Sequence, residues 1–302
     1  MPIALIGYNR PRHIEECIAS LRANHEAEET TVYAFLDGPR GIEDAPLVEE
    51  VRRITRSATG FREMRIVERD RNLGLSRNVI DGVTRVLAEH ESVIVVEDDL
   101  VVSPVFLWYM QKALGLYRSA SGVFSVSGYN YPRKLFPVPA SHPYDAFFVM
   151  RHMCWGWGTW RDRWQKADWE IPDFPSLSRN LSWRRSFSEG GLDLPHMLEE
   201  QARGQIDSWA IRWTYAHFAN HAVCLVPVKS LVNNMGVDGT GVHMKSSRRY
   251  FHRTLNGNTG MRFPPHVYVD PLITRKFKTA ERRSLVYRIF FKLYRTLRSR
   301  ET

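Results

Sequence analysis

Cysteine is scarce: the 302 residues contain three, Cys17, Cys154 and Cys224. An odd number at such long spacings excludes a disulfide framework or a zinc ribbon, and a reducing cytoplasm fits. Long apolar runs are missing too. None approaches the ~20 residues needed to span a bilayer, and no signal-peptide pattern precedes the first strand at Pro2–Ile3. Neither Gly-x-x-x-x-Gly-Lys-Ser/Thr nor Gly-x-Gly-x-x-Gly occurs, so the two common glycine-rich phosphate cradles are excluded. Most of the chain also lacks an excess of either charge. The formal net charge is +9, but residues 275–302 hold ten Lys/Arg against two Asp/Glu, which leaves the rest at +1. A neutral body argues against a nucleic-acid partner.

What is present is a composition that can build a large core, 43% hydrophobic and 12% aromatic. One large domain or two tightly joined halves fit this length. The first third alternates short apolar runs with helical spacing. Ile3–Ile6, Val32–Leu36 and Met64–Glu68 read as strands. Ile14, Cys17, Ile18 and Leu21 recur at helical spacing after Pro11, with further helices over Leu47–Arg56, Leu75–Ala88 and Pro104–Tyr117. This order implies a mostly parallel sheet with helical crossovers. After the strand Val123–Ser127 the periodicity weakens. Residues 129–190 are rich in Trp, Pro, Phe and Tyr, a helix is expected over Ser208–Asn220 and a strand over Ala222–Val226, and 233–260 reads as a Gly- and Asn-rich loop.

The most informative stretch is Ser92-Val93-Ile94-Val95-Val96-Glu97-Asp98-Asp99. A continuous β-branched run suits a strand buried on both faces. Three carboxylates cannot lie inside it, so they sit at its carboxyl end, where open α/β sheets bind ligands. Clustered acids repel unless a cation lies between them, and an oxygen-only set suits Mn or Mg. Asn9–Arg10 and Asp37 end other strands and reach the same edge if those strands are parallel. Arg10 and Arg77 are either anion contacts or ordinary surface arginines; Gly74 and Arg77 flank a helix N-terminus, where anions are favoured. Cys154-Trp155-Gly156-Trp157-Gly158-Thr159-Trp160 offers aromatic faces that stack on sugars, with Trp155 and Trp157 the candidates. The alternative is core packing. His217 and His221 lack the Glu of a zinc protease helix and read as core or surface residues.

Together these segments resemble a GT-A glycosyltransferase, and most of all the N-acetylglucosaminyltransferase I type, over roughly residues 2–245. The resemblance rests on Ile3–Arg10, on Asp37, on Glu97-Asp98-Asp99 as a form of the Asp-x-Asp signature, on Phe124–Asn130, and on Ile206-Asp207-Ser208-Trp209. It implies a Rossmann-like mixed α/β sheet with helices on both faces. It also implies an inverting transfer of a sugar from a nucleotide-sugar, a UDP-sugar such as UDP-GlcNAc, to a hydroxyl of a glycan or lipid-linked glycan. Asp37 would meet the nucleoside, Asp99 the metal, Asp98 the donor sugar or ribose, and Glu97 the sugar or a supporting position. Asp207 would be the catalytic base, although Ser208 stands where the family often has a second acid; Asp207 could also cap the following helix. His243 could supply a further metal ligand from a loop closing over the donor.

On this reading residues 1–130 form the nucleotide-sugar half, 131–270 the acceptor half of the same domain, and 271–302 a tail. Leu285, Ile289, Leu293 and Leu297 are spaced by four among arginines and lysines, which reads as a basic amphipathic helix for an anionic membrane surface. The expected setting is a bacterial cytoplasmic enzyme, peripheral at the inner membrane face and engaged in polysaccharide synthesis. A nucleotidyltransferase making a sugar nucleotide is the alternative, weakened by the glycine-poor Gly7-Tyr8-Asn9-Arg10-Pro11 turn. A non-enzymatic membrane-binding module is another, and it leaves the strand-end acids without a purpose.

Overall fold

The structure, a computed structural model, describes residues 1–236 and 248–280. His243 and the helix expected over the end of the tail lie outside the described residues. The chain opens with β1 (Ile3–Gly7), α1 (Pro11–Arg22), β2 (Thr31–Leu36), α2 (Ala45–Arg56), β3 (Glu63–Glu68), α3 (Leu75–Glu89) and β4 (Ser92–Glu97). A short β5 (Leu100–Val102), α4 (Phe106–Leu116) and β6 (Val123–Ser127) follow. The Trp-rich region adds β7 (Ala146–Val149), β8 (Trp157–Trp160), α5 (Arg161–Trp164), α6 (Phe174–Leu177), α7 (Leu181–Phe187) and α8 (Leu194–Ala202). Then come α9 (Trp209–Ala219), β9 (Val223–Pro227), β10 (Val232–Asn234) and α10 (Pro271–Phe277).

Eight strands form one mixed sheet in the order β3-β2-β1-β4-β8-β6-β9-β7. β3, β2, β1 and β4 run parallel, whereas β8 is antiparallel to both β4 and β6. The centre of the sheet is therefore built from sequence on both sides of residue 130.

Alternation along each strand sorts side chains onto two helical layers. Ile3 and Leu5 of β1, with Ile94 and Val96 of β4, join the core under α1, α2, α4 and α10. Ala4, Ile6, Val93 and Val95 join the opposite core, under α3 and α9. Continuous apolar strands are what such a two-sided sheet requires. A third, smaller core joins α6, α7 and α8 to the outer face of α9 through Ile211 and Tyr215.

The start of the C-terminal segment belongs to the body. Ile273 and Phe277 of α10 are buried, and the Phe277 ring meets Phe136 at 5.1 Å and Tyr131 at 5.4 Å between centroids. Among the described residues no helix is long and apolar enough to cross a membrane.

Candidate active site

Strand register decides where the polar side chains emerge. Gly7 aligns with Leu36, and Ile6 with Glu97. Arg10, Asp37 and Glu97-Asp98-Asp99 therefore leave their strands at one edge. From β1 the chain moves outward to β2 and β3 and returns on the other side at β4, so this edge lies at the switch point of the sheet. Antiparallel β8 sets Trp157 opposite Val95, which brings the preceding Cys154–Gly156 loop to the same edge. β10 pairs with β5, Asn234 opposite Leu100, and the Met235 amide donates to the Asp99 carbonyl at 2.7 Å. That ribbon lowers Asn234 and Gly236 onto the acids.

A cavity of about 590 Å³ opens there, and Arg10, Asp37, Glu97, Asp98, Asp99, Trp155 and Asp207 all line it. Eight carboxylates and three arginines reach its wall, so the cavity carries an excess of negative charge that favours a cation. Arg10 bridges two of the acids, with one guanidinium nitrogen on Asp98 Oδ1 and the other 2.9 Å from Asp99 Oδ2. Burial works against the Arg10 charge, but Asp98 and Asp99 outweigh it and raise its pKa. Burial pushes Glu97 up to about 8, and the Asp99 charge adds to this against the pull of Arg10. Asp98 is also raised, by burial first.

The donor set fits a hard divalent ion. Asp99 Oδ1 and Asn234 Oδ1 are buried oxygens with no hydrogen-bond partner. A Cβ at Gly236 would collide with Asp99 Oδ2 and lie 3.1 Å from Asn234 Oδ1, so glycine keeps this oxygen-lined cradle open. Among the described residues no three His, Cys, Asp or Glu side chains are grouped to hold a metal. A cation here would rely on Asp99, on Asn234 and on oxygens brought by a ligand, the usual situation for Mg bound with substrate phosphates.

Asp37 is buried and already engaged. Its Oδ1 accepts from the amides of Gly38 at 3.0 Å and Leu73 at 2.8 Å, and its Oδ2 from Gly74 at 3.0 Å. Gly74, at φ +78°, is the N-cap of α3. The anion expected at this helix N-terminus is thus the protein's own carboxylate. The structure does not bring Arg77 to the site: it is exposed on α3 and off the cavity wall.

The two tryptophans separate. Trp155 is half-buried on the wall, its ring 4.4 Å from that of Tyr129. Trp157 is fully buried and stacks on Trp209 at 5.2 Å. Strand alternation turns Trp157 into the α3–α9 core, so its expected place at the donor is corrected to a core role. Asp207 is exposed on the wall, and its Oδ1 accepts from Arg212 at 2.8 Å. The helix cap is Ser208, whose side chain accepts from the Ile211 amide. Asp207 is free of the capping role.

Several wall residues carried no signal in the sequence. The Tyr8 phenol donates to Asp44 at 2.5 Å, and Asn9 donates to the same carboxylate at 3.0 Å. Burial and the Asp44 bond push Tyr8 up to about 12. Arg40 lies over the Tyr8 ring at 5.6 Å. Arg151, His152, Asp193 and Glu200 also line the cavity. Tyr8 and Asn9 stood in the turn after the first strand that the sequence singled out; the others sit in loops or on α8, without a periodic or spaced motif.

No sequence family and no curated protein matches this chain. Solved structures do. S. aureus TarS residues 1–349 in complex with UDP-GlcNAc aligns with TM-score 0.42 and 12% identity, over 77% of this chain and 58% of that one. A second crystal structure of S. aureus TarS 1–349 aligns with TM-score 0.44 and 11% identity, over 82% and 68%. The galactosyltransferase LgtC in complex with donor and acceptor sugar analogs aligns with TM-score 0.38 and 11% identity, over 72% and 70%. The chain thus spans little more than half the length of the first of these. At such identities the likeness concerns the fold, and the chemistry has to come from the residues.

Proposed function

We propose that this chain is an inverting, metal-dependent glycosyltransferase that moves a sugar from a UDP-sugar to a hydroxyl of a glycan or lipid-linked glycan. One observation carries the reading. A single cavity at the sheet's switch point gathers Arg10, the three strand-end acids and Asp207, with one orphaned buried oxygen on each of Asp99 and Asn234, the two residues that meet Gly236. Asp99 and Asn234 would hold Mn or Mg there. The ion supplies positive charge that offsets the charge gathering on the departing diphosphate.

The remaining chemistry belongs to side chains. Asp207 takes the proton from the acceptor hydroxyl as that oxygen bonds to the anomeric carbon. The bond from that carbon to the diphosphate oxygen breaks, the nucleoside diphosphate leaves, and the configuration inverts. Arg10 is placed to turn from Asp98 and Asp99 toward phosphate oxygens once a cation shares the acids. Asp37 holds the 72–74 loop against β2 and shapes the nucleoside end, where Tyr8 offers a ring.

A thermal-shift screen of nucleotides with and without Mn tests this. Stabilisation by UDP with Mn, and not by GDP or TDP, is expected, with UDP-GlcNAc the first donor to assay. UDP-sugar hydrolysis that proceeds equally well after complete chelation would overturn the metal-dependent reading. We further propose a peripheral site at the inner membrane face through residues 275–302. Co-sedimentation with anionic but not neutral vesicles checks it, using a truncation after Ala280 because α10 is part of the core.

A further inference from the structure

The chemistry above leaves unused a buried polar chain that runs from α9 through β6 to the cavity wall. His217, fully buried, sets Nδ1 2.8 Å from the Trp213 carbonyl. A carbonyl only accepts, so Nδ1 carries the hydrogen. Burial keeps His217 neutral, lowering its pKa to about 4, and Nε2 is then an acceptor. The Ser125 hydroxyl, 2.7 Å away, donates to it. Having given its one hydrogen, Ser125 Oγ can only accept from His152 Nδ1 at 3.1 Å. His152 is held neutral as well, by burial first and then by His217 and Arg151. Its Nε2 is therefore a bare lone pair. That atom is buried and has no hydrogen-bond partner, in a residue 4% exposed that lines the cavity. An orphan acceptor at this depth is costly unless a ligand completes it.

We propose that His152 is a specificity residue of the sugar site: its Nε2 accepts a hydrogen bond from a hydroxyl or amide N–H of the transferred sugar. Ser125 and His217 are positioning residues that fix the required tautomer. Chemistry narrows the partner. A phosphate oxygen only accepts, so the lone pair would repel it; the matching group is a donor. Position narrows it further. His152 packs beside Trp209 at 5.6 Å, two residues beyond Asp207, while Cys154 on the same loop feels the Glu97 charge. The imidazole thus belongs to the same cavity wall as the acid cluster and the base, the wall the transferred sugar meets. This inference rests on the sugar-transfer reading for the identity of its ligand.

The test uses the full chain with ¹⁵N-labelled histidine. Long-range ¹⁵N NMR should find both His152 and His217 protonated on Nδ1, and the His152 Nε2 resonance should move on adding a UDP-sugar with Mn. In steady-state assays the wild type should favour its sugar over the analogue lacking the donating group on the order of 10²-fold in kcat/KM. His152→Phe should collapse that ratio, and His152→Gln, which retains an acceptor, should restore part of it. Ser125→Ala should shift the tautomer and weaken discrimination without touching substrate. An unchanged ratio in both His152 variants overturns the proposal alone. So does an Nε2 already bonded in the free protein to the Trp157 indole, whose own nitrogen is buried without a partner. A wild type inert toward every nucleotide-sugar sinks this inference and the sugar-transfer reading together.

Discussion

The two sides of the sheet place their side chains by different means. Across β1, β2 and β4 the parallel ladder does it: Ile6 registers with Glu97 and Gly7 with Leu36, and whatever follows each strand emerges at one edge. Beyond β4 the strand directions are mixed, with β8 antiparallel to both its neighbours and β9 parallel to β6, and the groups that reach the cavity arrive on loops held by aromatic packing. Trp155 leans on Tyr129, while Trp157, Trp209 and Trp213 fill the sheet beneath. The difference teaches where chemistry and stability are separable. On the ladder side a carboxylate can be removed while the strand below stays packed. On the aromatic side, wall and core residues interleave along the chain, as Trp155 and Trp157 do.

The largest expected effect falls on the ladder side. Asp99→Ala should lower sugar transfer on the order of 10⁴-fold, because the charge stabilisation brought by a metal amounts to several kcal/mol. Its melting temperature should change little, since removing one crowded acid relieves repulsion that offsets the lost Arg10 contact. An active Asp99→Ala protein would break the comparison at its strongest point. Asp207→Asn comes next, with a loss in kcat of roughly 10³-fold, the usual worth of a general base. Its stability should stay within about 0.5 kcal/mol, because the side chain is exposed and Ser208 holds the cap. Rapid-quench turnover and urea unfolding on the same preparation check both halves of that statement.

On the aromatic side the ranking inverts. Trp157→Ala should cost about 3 kcal/mol in chemical denaturation, as expected for emptying a fully buried tryptophan site. Trp155→Ala should cost less stability and raise KM instead, because its ring stands half-exposed on the cavity wall. If the two substitutions exchange their signatures, the assignment of wall and core between them is wrong.

The same contrast explains how much the sequence disclosed. The parallel strands, their helices and the acids at one edge were legible, because burial on both faces forces apolar runs and expels charge to the strand ends. Val123–Ser127 is a strand as expected, and α9 starts one residue after the anticipated Ser208. The Trp-rich segment was not legible. Whether Trp155 or Trp157 meets the cavity depends on where β8 begins and which neighbour it pairs with, and both are tertiary facts. Arg77 shows the limit of a helix N-terminus as a signal: the N-cap amide of Gly74 is met by Asp37, 37 positions earlier in the chain. Asn234 was hidden because it reaches the acids only through the pairing of β10 with β5.

The smallest effect is a matter of pH and belongs to the aromatic side. His217 titrates near 6.5 when the chain is unfolded and near 4 in the fold, where burial disfavours its charge. Below pH 6.5 the unfolded chain therefore takes up a proton that the native protein refuses, and stability falls until the pH passes 4. The contribution is absent at pH 7, about 2 kcal/mol by pH 5, and about 3 kcal/mol once both states are protonated. His152 titrates in the same direction, and the carboxylates of the cavity add their own acid limb, so the measurement has to be a difference. His217→Gln removes this one group while leaving His152, Arg151 and the acids in place. Denaturant unfolding at pH 7 and pH 5 should show the stability gap between the wild type and His217→Gln closing by about 2 kcal/mol on acidification. A gap that widens instead would mean that His217 is already protonated in the fold, its folded pKa lying above the unfolded one. Its Nε2 would then be a donor to Ser125, and the aromatic side would hold a buried charge where the geometry requires a neutral acceptor.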